Sequence, residues 1–293
     1  MDEKDYELIL TLYQLKNITK TAEKLFITQP ALTKRIKKIE HDLGTELLLR
    51  SKKGVLFTPL GESIIPYIRN VASTLKQMRQ QVDSNHDFIG GTLSAGISLN
   101  YSQYQLPKVL KSYTEAFPNV DVNIITDQSR NLYHRLENDE ISIAVVRGEF
   151  NWNDKSILLD TEPMCLVCSN EYARRPLNSY SYIGRRSDSI LQGKIQTWLT
   201  ENGLSTDNTK LSIDNIGTCL EMAKHGLGWA ILPKVCLDDF DGYVEDLYFA
   251  DGTPFTRSTY ILYRSSYYSL PQVKLFIQYL KDGKKFRNKN KSR

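Results

Sequence analysis

The 293-residue sequence predicts an α/β protein in two parts, a small basic helical module with a wing and a larger region of alternating strands and helices, joined by a long helix. Three observations predict it. Apolar residues recur at helical spacing through the first 45 positions and again from Pro59 to Val82. Beyond Gly90-Gly91, short β-type runs alternate with helical ones, the order that gives mainly parallel sheets with helices on both faces. Charge is segregated: residues 1–83 carry 14 Lys/Arg against 10 Asp/Glu, residues 84–280 carry 17 against 23, and residues 281–293 carry 7 against 1. A basic module on an acidic body suits a polyanion-binding unit attached to a separate globular unit.

In the first segment, Tyr6, Ile9, Leu10, Leu12 and Tyr13 share a helix face. Thr19 is the expected N-cap of a second helix whose inward face is Ala22, Leu25 and Phe26. Thr28 caps a third, QPALTKRIKKIEHDLG, with Pro30 in the first turn, where a missing N–H costs nothing, and Gly44 closing its end. Ala31, Leu32, Ile36, Ile39 and Leu43 are its expected core face, which leaves Gln29, Thr33, Lys34, Lys37 and Lys38 outside.

Three short helices with a tight turn before the third describe a helix-turn-helix. Polar groups at the start of that third helix fit the major groove: Gln29 can pair with an adenine edge, and the methyl of Thr33 can meet a thymine methyl. Lys34, Arg35, Lys37 and Lys38 are expected on phosphates. The basic turn Arg50-Ser51-Lys52-Lys53-Gly54, between two short extended runs, is a wing.

The long helix places Ile64, Ile68, Val71, Leu75, Met78 and Val82 alternately four and three apart, a coiled-coil seam. After the hinge His86–Gly91 come GTLSAGIS, LPKVLKSYTEAFP, VDVNIIT, RNLYHRLEND and ISIAVV. A second set follows with PMCLVCS, a helix around Gly193–Asn202, LSIDN, a helix around Gly217–His225, and GLGWAILP. STYILYR and LPQVKLFIQYLKDG close the chain.

Here the motifs become specific. Thr19, Thr21-Ala22, Leu25, Thr28-Gln29-Pro30-Ala31-Leu32-Thr33, Ile36, Ile39-Glu40, Leu43-Gly44, Leu47-Leu48, Arg50 and Thr58-Pro59-Leu60-Gly61 resemble the N-terminal signature of LysR-type transcriptional regulators. Thr28 and Thr33 stand where serine is commoner, and Leu48 where phenylalanine is usual. Gly96, Ser98 and Pro107, then Phe117-Pro118, then Gly226–Pro233, extend the resemblance to about residues 5–281. It implies a winged helix-turn-helix over 1–58, a linker and dimerisation helix over 59–88, and a two-lobed, periplasmic-binding-protein-like effector domain over 89–293. Lobe one then covers about 92–160 and 265–281, and lobe two about 161–264, with crossings near Thr161 and Arg264.

Ligands of such folds bind at the carboxyl ends of strands, in the crevice between lobes. Candidate effector residues are therefore Ser98, Asn100, Tyr101 and Ser102 in the first βα loop, Ser129 and Thr218 at later helix starts, and Arg147 after ISIAVV. Arg185 and Arg186 are further sources of positive charge for a carboxylate. The implied function is DNA binding at a near-palindromic operator, controlled by a small anionic metabolite. The implied assembly is a dimer or tetramer, with RNA polymerase a further candidate partner.

Other classes are disfavoured by the same residues. No apolar run reaches the length of a membrane span and the first residues, MDEKDYELIL, lack signal-peptide order, so a cytoplasmic protein is expected. Cys165 and Cys168 form a CxxC inside an apolar strand, where positions three apart point to opposite faces, so neither zinc nor dithiol chemistry is expected. No nucleophile elbow or zinc-protease motif occurs and His41, His86, His134 and His225 are scattered, so no enzyme, cofactor or metal is expected. Two alternatives share the fold: an effector-independent DNA-binding repressor or architectural protein, and a solute-binding receptor, which should lack the basic helix-turn-helix.

Overall fold

The structure is a computed structural model describing residues 1–51, 54–83, 89–205 and 211–290. The chain divides into two compact units, Met1–Gly91 and Thr92–Arg293. The first unit holds the long helix together with the DNA-binding module.

In the first unit, α1 (Glu3–Leu15) opens on a capping box between Asp2 and Asp5. α2 (Ile18–Lys24) begins at Asn17, not Thr19: the Asn17 side chain accepts from Lys20 N at 3.0 Å. Asparagine is at least as good a cap as threonine, and the earlier start buries Thr21, whose hydroxyl donates to Asn17 O at 2.7 Å. α3 (Gln29–Leu43) is capped by Thr28, carries Pro30 in its first turn and ends at Gly44 with φ +69°. Leu32, Ile36 and Ile39 are buried as expected, but Ala31 and Leu43 face outward. Phe26 is also outside the core, 96% exposed and with φ +53°, because the tight turn between α2 and α3 needs a left-handed residue there.

The wing is the antiparallel pair β1 (Leu48–Ser51) and β2 (Gly54–Phe57). α4 (Pro59–Asp83) follows directly. Thr58 starts it by accepting from Gly61 N at 2.9 Å while donating to Glu46 O. Gly61 is required because a Cβ would come within 2.5 Å of the Leu47 carbonyl. Ile65 and Ile68 of α4 join Leu8, Leu12, Ile36, Val55 and Phe57 in one core, with Ile64 packed against it.

The second unit is a mixed sheet with helices around it. Its strands are β3 (Gly91–Ser98), β4 (Val120–Asp127), β5 (Ile143–Arg147), β6 (Lys155–Cys168), β7 (Ile183–Arg185), β8 (Leu211–Ile213), β9 (Ala230–Pro233), β10 (Tyr243–Asp246) and β11 (Thr256–Tyr263). Its helices are α5 (Leu99–Tyr104), α6 (Leu106–Ala116), α7 (Ser129–Glu137), α8 (Ser189–Glu201), α9 (Ile216–Lys224) and α10 (Pro271–Asn290). Sheet order is β10-β6-β11-β5-β3-β4, with β9 also on β6, and β7 and β8 form a separate parallel pair.

The expectation of mainly parallel sheets fails at β6. β3 and β5 run parallel, whereas β11 is antiparallel to both β5 and β6. β6 is 14 residues long, and its first part pairs with β11 while its last part pairs with β9 and β10. One continuous strand therefore serves both lobes. Because Thr259–Tyr263 already pair with β5, the chain has returned to lobe one before the expected Arg264. Cys165 and Cys168 lie on opposite faces of β6, in two separate apolar clusters.

Candidate DNA interface and effector cleft

At the start of α3, Thr28, Gln29, Pro30, Lys34, Lys37 and Lys38 are exposed and Thr33 is half-buried. The Thr28 hydroxyl accepts from Ala31 N, and Gln29 Oε1 accepts from the Thr19 hydroxyl at 3.4 Å, which ties the first turn of α3 back to α2. Arg35 stands apart from its neighbours. It donates at 2.5 Å to both Asp2 and Asp5, so its charge is already balanced within the α1 capping box. Burial works against the Asp5 charge, but the hydrogen bonds and charge of Arg35, with the Asp2 backbone bond, outweigh it and hold the Asp5 carboxyl below its ordinary range. Arg35 is thus placed to fix α1 against α3 rather than to meet phosphate.

Glu40 is a positioning residue for the wing: one carboxylate oxygen accepts from Leu47 N at 2.9 Å and Leu48 N at 3.1 Å. Arg50 lies in β1 opposite Val55; its side chain, and Lys52 and Lys53 altogether, lie outside the described residues. Of the α4 seam, Ile68 is buried and Ile64 half-buried within the unit's own core, while Val71 and Met78 are exposed and Leu75 half-buried. The Val82 side chain lies outside the described residues. Among the described residues of the seam, Val71, Leu75 and Met78 are the ones that lie outside the unit's own core.

In the second unit the carboxyl ends of β3, β5 and β7 carry Ser98, Arg147 and Arg185. Ser98 is buried, and its hydroxyl has no hydrogen-bond partner. Tyr101 is buried beside it, Asn100 is half-buried, and Ser102 turns back to donate to Leu99 O at 2.7 Å. α5 is six residues long and begins directly after Ser98, which holds its N-cap position without a side-chain cap hydrogen bond. The Ser129 hydroxyl accepts from Arg147 N at 2.9 Å, Gln128 holding the cap position instead. Thr218 is exposed and belongs to the start of α9, where Asn215 accepts from its N–H at 3.0 Å.

Arg147 is buried and paired with Glu162, whose other oxygen accepts from Val235 N at 2.8 Å. A small recess opens here, lined by Tyr101, Gln105, Arg147, Asp160, Glu162, Val235 and Thr259. A second ion pair joins Arg257 of β11 to Asp188, the N-cap of α8, at 2.5 Å, and the same guanidinium reaches Arg147 O at 3.4 Å. Sequence reasoning missed Glu162, Asp188 and Arg257. The one local signal was an acid, Glu162, standing just ahead of the apolar run PMCLVC. Burial raises all four thiols, Cys219 to about 11 and Cys236 to about 12, which leaves them as thiols at neutral pH. Among the described residues no cluster of His, Cys, Asp or Glu could hold a metal.

A winged helix-turn-helix joined to a two-lobed effector-binding unit defines a DNA-binding transcriptional regulator. Residues 4–62 match the bacterial regulatory helix-turn-helix protein, lysR family, and residues 86–285 match the LysR substrate binding domain. The chain belongs to the LysR family of transcriptional regulators. Two uncharacterized HTH-type transcriptional regulators of Bacillus subtilis (strain 168) are similar along their length. YkuM is 34% identical over 292 residues, covering 96% of this chain and 97% of the relative, and YraN is 33% identical over 282 residues, covering 96% and 98%. Among solved structures, a full-length OxyR variant from Pseudomonas aeruginosa aligns with a TM-score of 0.68 at 22% identity, over 97% of this chain and 94% of the other. CbnR complexed with its target DNA aligns with a TM-score of 0.61 at 14% identity, over 97% and 100%. These two likenesses are of fold.

Proposed function

We propose that a small anionic metabolite, bound in the crevice between the two lobes, controls how this regulator engages its operator. The observation that carries the reading is a buried, unpartnered Ser98 hydroxyl at the carboxyl end of β3, beside the parallel strand β5 that ends on Arg147. Buried hydroxyls without partners are rare in folded proteins and mark places where a ligand or water completes the bonding. The effector must bind the two arrangements of the regulator with different affinity, or nothing shifts.

In this reading the protein works in the cytoplasm without catalysing a reaction. It binds a near-palindromic site as a dimer or tetramer held through Val71, Leu75 and Met78 of α4, and it acts on RNA polymerase at the promoter. A metabolite panel tests the reading by melting temperature, since a ligand that binds only the native state raises it. Ser98→Ala should weaken the effective compound by about 1–2 kcal/mol and leave DNA affinity without ligand near normal. A panel that raises no melting temperature, with DNA binding intact, favours the effector-independent regulator instead.

A further inference from the structure

We propose that Arg185 is the anion receptor of this cleft, and that it takes a carboxylate monoanion. The inference rests on the effector reading above and adds the residue and the ligand charge to it. Three guanidiniums share the region, and two are committed. Arg147 is paired with Glu162, and Arg257 with Asp188, whose carboxylate also accepts from Leu191 N as the cap of α8.

Arg185 has no ion pair among the described residues. Among the described residues its guanidinium makes one hydrogen bond, to the Arg186 carbonyl at 3.4 Å, and its Nε is buried without a partner. Burial first, then the charges of Arg257 and Arg147, lower its pKa to about 10. The group is therefore charged at neutral pH in surroundings that disfavour the charge. The hydroxyl of Ser187, two residues along the chain, is buried without a hydrogen-bond partner as well, as is that of Ser98 at the end of β3.

The ion pairs set the ligand class. Glu162 and Asp188 pair with the other two arginines, so of the three guanidiniums Arg185 is the one without an ion pair among the described residues. Asp160 and Glu162 line the recess beside Arg147, so a second negative charge on the ligand would meet carboxylates there. A guanidinium fork matches one carboxylate in two parallel hydrogen bonds, a geometry that neither a lysine nor a glutamine reproduces. Binding would supply the counter-charge that the fold withholds.

The test uses the full-length protein and acetate as the probe, with melting temperature and calorimetric titration read against chloride at matched ionic strength. Wild type should melt higher in acetate than in chloride, and succinate or phosphate should bind no more tightly than acetate. Arg185→Gln should bind acetate about tenfold or more weakly, while Arg186→Gln should match wild type. In chloride, Arg185→Gln should be at least as stable as wild type, because it removes an unpaired, half-buried charge; a merely structural arginine would lose stability. If that variant does not fold, Arg185→Lys keeps the charge and loses the fork, and should show the same loss of acetate binding. Acetate binding unchanged in Arg185→Gln or Arg185→Lys, a wild type that does not distinguish acetate from chloride, or a strong preference for dianions would each overturn the proposal. If Ser98→Ala abolishes the response to a panel compound and Arg185→Gln does not, the cleft reading stands and the arginine assignment falls.

Discussion

Glu162→Ala should be among the most damaging single changes in the regulatory unit. The side chains of Arg147 and Glu162 are only 4% and 8% exposed, and Glu162 also satisfies the buried N–H of Val235. Removing it strands a buried guanidinium, which costs about 3–5 kcal/mol, and an amide N–H, which alone costs about 1–3 kcal/mol. The two penalties share one site and do not add, so about 3–5 kcal/mol is expected, or roughly 6–20 °C in Tm for a unit of this size. All three tryptophans, Trp152, Trp198 and Trp229, lie in this unit, so tryptophan fluorescence during urea unfolding reports on it without interference from the DNA-binding module. The double variant Arg147→Met/Glu162→Gln removes both charges and keeps an acceptor near Val235, and it should recover most of the loss. A Glu162→Ala protein destabilised by less than about 1 kcal/mol, or a double variant no better than the single one, would refute the reasoning.

Further predictions concern the DNA-binding module. Lys34→Ala should flatten the salt dependence of DNA binding by about one unit, whereas Arg35→Ala should leave that slope nearly unchanged and instead destabilise the module, because its charge is spent on Asp2 and Asp5. The Asp5 carboxyl is held below its ordinary 3.8, so its contribution is present above that value and lost as pH falls through the lower folded-state value. Acid titrations should show this loss in wild type and not in Arg35→Ala. Phe26→Asn should raise stability by about 1 kcal/mol, measured by urea midpoint, since a bulky exposed side chain is replaced by one that tolerates φ +53°. Val71→Glu/Met78→Glu should lower the sedimenting mass and the affinity for a full operator while half-site binding changes little; Ile68→Glu should unfold the module, because Ile68 lies in its core.

Local chemistry was the legible part of the sequence. A cap, a proline in a first turn and a closing glycine are decided within four residues, and Thr28, Pro30 and Gly44 stand where that logic puts them. Strand periodicity placed Cys165 and Cys168 on opposite faces. Where two local solutions competed the outcome depended on packing: Asn17 took the cap from Thr19 because the earlier start buries Thr21 and Ala22. Phe26 read as a core residue by spacing, but the turn between α2 and α3 imposes a left-handed backbone that points it outward. Contacts between distant residues leave no periodic trace. Nothing local indicates that Arg35 meets Asp2 and Asp5, that Arg147 meets Glu162, or that one long strand pairs in both lobes. Those contacts decide which arginines are spent and which one is left.

The central claim, that occupancy of the cleft alters operator engagement, is tested most directly by footprinting the wild-type regulator on its operator with and without the compound that raises its melting temperature in the panel. The protected region should change in length or spacing when the compound is present, as two recognition helices move relative to each other on the duplex. An identical footprint and identical affinity in both conditions, at saturating compound, would contradict it.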